Sequence, residues 1–576
     1  LIARYNQQIL LIVLGALFFI PFLGHVHLFD WDEINFAESS REMMISGNYF
    51  QNQINFEPFW EKPPFFFWIQ SLSMSVFGLN EFGARFPNVL VGIITLLFVF
   101  NIGKRLYNER FGMIWALLYL GSLLPHLYFK SGIIDPMFNL FIFASLFSIV
   151  KTVQETHSKK ATKHAIIAGI LIGLAIITKG PVGLLILLLS VLIYWVLNKF
   201  RPLTTIKNLL LFTLFALAVS CLWFGYETIK NGPWFLGEFI SYQLELFTGA
   251  EGGAAAGHQQ PFYYHFVVIL LGCFPISILA LGNLFGSRYL VDQFNFKKWM
   301  NILFWVVMIL FSIVSTKIVH YSSLAYLPLS FMAAYYLFQV EKGKENLSKW
   351  LAMFVSVLGI IFALAIILIP IIMLNKDDFL IPLLKDDFAV NALSMDVNWT
   401  GYESGIGVLF LVFVIASIVQ LFKKKVFKFV MINAIGVSVL FMLVGIFILP
   451  KVEQYSQGPA IEFYSSLKGK DAYIWPLQHK SYAHYFYAQT QPLAPNSGLS
   501  LKKKEALEKL NKSEFGQLKG DERLSYQMVL QEWLLKGDID KPAYFLIKAD
   551  KYKPENFTDF EVVMKKGGFV GLKRAN

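Results

Sequence analysis

A lipid bilayer offers no partner to an unpaired backbone N–H or C=O, so a chain dominated by long apolar runs is confined to helices where it meets lipid. This chain has such runs at roughly 8–28, 84–103, 111–129, 133–151, 164–178, 180–198, 207–228, 263–285, 299–316, 320–339, 350–374, 403–422 and 427–449. Each approaches the twenty residues a helix needs to cross a membrane, which predicts about thirteen spans. The first run has no small-residue cleavage site and reads as an uncleaved signal anchor. Charged residues make up 15% of the chain, against about 25% in soluble domains.

The net charge of +11 does not indicate a nucleic-acid partner. Lys and Arg cluster in alternate short connections, such as Lys104–Arg110, Lys151–Lys163 and Lys423–Lys428, and the positive-inside rule assigns these to the cytoplasm. The other connections are the 29–83 loop, the turns near 130, 179 and 317, the 229–262 loop and the 375–402 loop. They hold most of the acidic and His residues. An odd number of spans puts the tail on that same outer side. Cys221 and Cys273 fall inside predicted spans, with no CxxC and no disulfide framework.

The expected organisation is a transmembrane unit, 1–450, and a small soluble α/β unit, 451–576, which carries strand-like runs (DAYIWPL, PAYFLIKA, FEVVMKKGGFVGLK). The 29–83 loop predicts two short amphipathic helices, 33–45 and 63–77, lying in the membrane interface. The glycine-rich end of the 229–262 loop predicts a flexible lid.

Several outer-side charges sit at span ends, where ionisable groups usually face a cavity or a partner. Asp32 and Glu33 follow the first run, and Asp135 opens the fourth. A helix-capping role fits each locally. Lys62 lies in the 29–83 loop within WEKPPFFF, Lys179 lies between two apolar runs with almost no loop, and either a snorkelling or an anion-binding role fits them. Tyr321 shares a tight turn with Lys317 and His320, where an interfacial Tyr is common. Glu61 and His258 are a conceivable metal pair, too few ligands to define zinc by themselves. Together the carboxylates, lysines and tyrosine suit one task. Cations and a hydroxyl hold a phosphate leaving group, and a carboxylate takes a proton from the incoming nucleophile. No P-loop, GxGxxG, HExxH or GxSxG motif competes.

An ordered set of motifs across 1–340 resembles a known family. The motifs are Asp32-Glu33 with AESSREM, Glu61-Lys62-Pro63-Pro64, ARFPN at 84–88, Asp135-Pro136, Thr178-Lys179-Gly180, HQQPFYY at 258–264 and KIVHYSSLAYLPL at 317–329. They are similar to those of the GT-C membrane glycosyltransferases, in particular bacterial relatives of the dolichyl-phosphate-mannose protein mannosyltransferases and their lipid A aminoarabinose transferase branch. The resemblance implies a polyprenyl-phosphate sugar donor and transfer on the periplasmic face of the inner membrane.

It implies Asp32 as the catalytic carboxylate, with Glu33 beside it and Asp135 as the second acid. It implies Lys62, Lys179, Tyr321 and Lys317 around the donor phosphate. Glu61 and His258 would hold a structural zinc, with no cofactor required for catalysis. The expected acceptor is lipid A, another envelope glycan or a protein, and the expected sugar is aminoarabinose or a hexose. Asn35 stands where that branch has Arg, and His320 where it has Thr. A lipid or glycan transporter is the alternative, but it predicts matched halves with interrupted spans, and no such symmetry is present.

Overall fold

The computed structural model describes residues 2–156, 158–248, 260–284, 294–518 and 520–575. Among them, nine helices are long and apolar enough to cross a membrane: Glu81–Leu106, Asp135–Gln154, Lys159–Lys179, Ile206–Asn231, Phe296–Ile313, Val319–Glu341, Lys349–Leu374, Ser404–Phe422 and Val426–Phe447. The protein is mainly helical and multi-pass.

The other four predicted spans depart from straight crossings, each where the sequence interrupts the helix. The 263–285 run is a pair, Tyr264–Gly272 and Ile276–Leu284, bent by 114°. Pro275 opens the second helix, since it has no N–H to continue the first. The 111–129 run breaks after Leu120, leaving the short helix Leu123–Tyr128. The first helix stops at Phe19, ahead of Pro21, because the residue before a proline is pushed out of helical conformation. Val182–Leu197 has 16 residues, about 24 Å of helix, and is short against a hydrocarbon core of about 30 Å.

Helices Lys159–Lys179 and Ile206–Asn231 pack closely through Gly169 and Gly173, a small-xxx-small pair of the kind that lets backbones approach in lipid. A Cβ on Gly173 would stand 2.6 Å from the Val219 Cβ, and one on Gly169 would strike the Phe212 carbonyl. Gly169→Leu is therefore expected to force the two helices apart and displace Lys179 at the end of the first. The expected result is a lower melting temperature in detergent together with lower activity. An unchanged melting temperature would refute the close contact.

The first loop forms the two helices expected of it, Asp32–Ser46 and Phe65–Phe77, joined through a small hairpin pairing Gln53 with Pro58 and Ile54 with Glu57. The first of them differs from an interfacial helix: Glu33 to Met43 are all buried. The polar residues that would face water are instead taken up by neighbours. Ser40 Oγ donates to Gln70 Oε1 (2.8 Å), and Arg41 pairs with Glu38 (2.7 Å) and donates to the Thr490 carbonyl of the tail (2.8 Å).

The C-terminal part carries a four-stranded sheet. Strand Tyr473–Leu477 runs parallel to Ala543–Lys548, which pairs antiparallel with Phe569–Arg574, and that with Glu561–Lys566. Gly567 and Gly568, with φ of 55° and 78°, make the two-residue turn of the last hairpin. This small α/β unit docks on the first loop. The Leu28 N–H donates to Tyr487 Oη (2.8 Å), Gln457 Nε2 to the Leu28 carbonyl (3.0 Å), and Lys503 pairs with Glu57 (2.6 Å).

Candidate active site

Five separate stretches bring their polar ends together where the first loop meets the membrane helices. Asp32 opens the helix Asp32–Ser46. Asp135 opens Asp135–Gln154, with Pro136 in its first turn. Lys179 ends Lys159–Lys179. Gly180 then takes φ +117°, a backbone state that disfavours any side chain. That turn lets the chain reverse immediately, so Lys179 is held against its neighbours instead of reaching for water.

Lys179 Nζ lies 2.5 Å from Asp135 Oδ1, and Asp135 is 4% exposed. The ammonium also stands 4.8 Å from the centre of the Tyr321 ring. His320 Nε2 stands 3.2 Å from Asp32 Oδ2 and 3.7 Å from Asp135 Oδ2, so one imidazole faces both acids. Burial by itself would lift the Asp32 carboxyl. His320 beside it, with the charges of Lys62 and Lys179, more than offsets this and holds it below the usual carboxylate range. Asp32 is thus an anion with one oxygen turned to His320.

Lys62 reaches the same cluster from the first loop, its ammonium 5.3 Å from the centre of the Tyr242 ring. Burial, the largest influence, pushes the Lys62 ammonium down; Glu61 opposes this and Lys179 adds to it.

Two cavities flank the cluster. One, of about 340 Å³, has Asp135, Lys179 and Tyr321 at its polar end and is otherwise lined mainly by apolar side chains, Phe138, Leu185 and Phe311 among them. The other, of about 240 Å³, is polar and lies between the hairpin, the helix Trp234–Thr248 and the C-terminal unit. Glu61, Tyr242, Lys480 and Arg523 line it. The helix Trp234–Thr248 separates the two. Ile240, Gln243 and Leu244 face the apolar cavity, while Glu238, Ser241, Tyr242 and Glu245 face the polar one, as i, i+3, i+4 and i+7 positions on one helical face do.

Not every expected residue joins the cluster. Glu33 turns away from Asp32 and is 2% exposed. Its carboxylate takes Arg85 Nε at 3.0 Å and Nη2 at 2.7 Å, the Phe29 N–H at 2.8 Å, and the Gly132 N–H. With both oxygens occupied it is a strut that fixes the start of the Asp32 helix against Arg85. Lys317 donates to the Val314 carbonyl at 2.7 Å, closing its own turn. Glu61 accepts from Tyr242 Oη at 2.7 Å. His258 lies outside the described residues, as does most of the glycine-rich run expected to form a lid. Among the described residues no three His, Cys, Asp or Glu side chains converge as metal ligands, so Glu61 alone does not make a zinc site. His320 and Tyr242 were not in the expected set. His320 carried a signal, an imidazole at a span end beside Tyr321; Tyr242 carried none.

The fold that carries these residues is a known one. The crystal structure of ArnT from Cupriavidus metallidurans bound to undecaprenyl phosphate matches with a TM-score of 0.73 at 17% identity, covering 99% of this chain and 98% of that one. This chain has the GT-C fold of that transferase. The resemblance read from the motifs is borne out in sequence as well. The profile of the dolichyl-phosphate-mannose-protein mannosyltransferase family matches residues 61–224, a stretch that holds Glu61, Lys62, Asp135 and Lys179. An undecaprenyl phosphate-alpha-4-amino-4-deoxy-L-arabinose arabinosyl transferase of Wigglesworthia glossinidia brevipalpis is 27% identical over 374 residues, 64% of this chain and 65% of that protein. Its namesake in Edwardsiella ictaluri (strain 93-146) is 29% identical over 375 residues, 62% of this chain and 65% of that protein. The aligned part thus spans a little under two thirds of these relatives.

Proposed function

We propose that this protein is a membrane glycosyltransferase that moves one sugar from a polyprenyl phosphate, undecaprenyl phosphate in a bacterial inner membrane, to an acceptor on the periplasmic side. The observation that carries this reading is that Asp135, Lys179 and Tyr321 line the polar end of an apolar cavity, with Asp32 and Lys62 in electrostatic reach of Lys179. A polyprenyl chain suits the apolar part, and its phosphate suits the lysines and Tyr321. The relatives named as undecaprenyl-phosphate aminoarabinose transferases support that donor. Aminoarabinose or a hexose is the sugar, and lipid A, another envelope glycan or a protein the acceptor. Residues 1–450 would carry the catalytic unit, with 451–576 forming a wall of the polar cavity.

In this mechanism Asp32 accepts the proton of the acceptor hydroxyl as its oxygen bonds to the anomeric carbon. The bond from that carbon to the phosphate oxygen breaks, and its electron pair leaves with the polyprenyl phosphate. Attack opposite the leaving group inverts the anomeric centre. Lys62, Lys179 and Tyr321 stabilise the charge that grows on the phosphate, where fixed cations in a dry site act most strongly. Asp135 holds Lys179 in place, and Glu33 holds the backbone before Asp32.

Purified protein incubated with synthetic polyprenyl-phosphate sugars and candidate acceptors tests this. Transfer with inversion is expected. If no polyprenyl-phosphate sugar is consumed while the lipid crosses vesicle membranes, the chain is a transporter and the reading is wrong. Lys62→Ala is expected to lower kcat about 10²-fold and to weaken binding of the spent polyprenyl phosphate. Unchanged binding of that phosphate lipid would remove Lys62 from the donor site.

A further inference from the structure

We infer that His320 is a positioning residue that aims the Asp32 carboxylate. The inference rests on the transferase reading above and adds to it a role that none of the expected site residues fills.

The imidazole is placed by its surroundings. Ser323 donates to the His320 carbonyl, Asn139 Nδ2 donates to Ser323 Oγ at 2.9 Å, and Tyr128 Oη lies 2.9 Å from the same hydroxyl. Asn139 sits one turn beyond Asp135 on the same helix. The backbone of His320 is therefore tied to the element that carries the second acid. The ring is 17% exposed and directs Nε2 at the Asp32 carboxylate.

The ionisable groups around the ring come from every side. Asp32 faces it from the first loop and Asp135 from the helix Asp135–Gln154, the latter paired with Lys179. His265 approaches from Tyr264–Gly272, its Nδ1 3.1 Å from Ser322 Oγ. Lys317 and Tyr321 lie on the same segment as His320, Lys62 lies across the site, and Tyr128 and Tyr326 lie behind it. Asp32 is the carboxylate nearest to Nε2 among the described residues.

An N–H at Nε2 holds Asp32 Oδ2 and leaves Oδ1 for the acceptor proton. The proton taken from the acceptor goes to Asp32 in each turnover and is released to solvent; His320 is not consumed and does not transfer one.

The test compares His320→Ala and His320→Gln with the wild type. The Gln side chain keeps an N–H donor. His320→Ala should lose about 10- to 100-fold in kcat with donor KM within about twofold. His320→Gln should recover part of kcat. A His320→Ala variant that keeps the wild-type kcat, or loses only in KM, overturns the inference, as does a His320→Gln variant no better than His320→Ala. Melting temperature in detergent separates a folding defect from a catalytic one.

A second measurement needs no turnover. The ring ¹⁵N resonances of His320, assigned by their loss in His320→Gln, should move when Asp32→Asn is introduced. Resonances that do not move overturn the contact itself. If the wild type consumes no polyprenyl-phosphate sugar, the transferase reading fails while this contact is still decided.

Discussion

Asp32→Asn is expected to abolish almost all sugar transfer while leaving the donor bound. The substitution keeps the size of the side chain and a contact for His320, but an amide cannot accept the acceptor's proton. General-base contributions of about 10²–10⁴-fold set the scale of the loss. Binding of spent polyprenyl phosphate should change little, because the proposed site assigns that group to Lys62, Lys179 and Tyr321. Steady-state kinetics of the purified variant, with lipid binding measured alongside, checks both halves. Retained turnover would remove Asp32 from the proton transfer. Equal loss of lipid binding would make it part of the donor site instead.

The second large effect is structural. Arg85 makes two hydrogen bonds to Glu33 and also donates to the carbonyls of Leu23 (2.9 Å), Val26 (2.7 Å) and His27 (2.8 Å). It thus collects the chain that leaves the first helix and pins it to Glu33, one residue from Asp32. Arg85→Leu leaves a buried carboxylate and three carbonyls without their donor. Removing one partner of a buried ion pair costs about 3–5 kcal/mol, so this variant should be poorly folded and should lose its sharp gel-filtration peak in detergent. Glu33→Gln keeps an acceptor for Arg85 and should fold, with a smaller loss of stability. A well-folded, fully active Arg85→Leu would show that the strut is dispensable.

The sequence made the helices legible because lipid permits little else along an apolar run. It did not show the bend at Pro275, since that run stays apolar on both sides of the proline and only the missing N–H marks the break. Asp32, Asp135, Lys62, Lys179 and Tyr321 are legible as an ordered set of motifs, since capping, snorkelling or an interfacial phenol would account for each of them singly. Glu33 was grouped with Asp32 by adjacency. Consecutive helical residues point about 100° apart, so the two carboxylates face different neighbours, one His320 and the other Arg85. Lys317 was grouped with Tyr321 in the same way, yet its ammonium closes a local turn. His320 was passed over because whether an imidazole meets a carboxylate depends on two elements nearly 290 positions apart. The burial of the helix Asp32–Ser46 has a related cause: it is covered by the helix Phe65–Phe77 and by a tail whose docking no local pattern encodes.

In the proposed reaction, the helix Trp234–Thr248 would give donor and acceptor different doors. Its apolar side belongs to a chamber that a lipid would enter sideways from the bilayer, and its polar side belongs to one shared with the C-terminal unit. Spent carrier lipid and incoming acceptor would then never queue for the same entrance. In kinetic terms, added polyprenyl phosphate should compete with the donor but not with the acceptor, and saturating acceptor should not relieve that product inhibition.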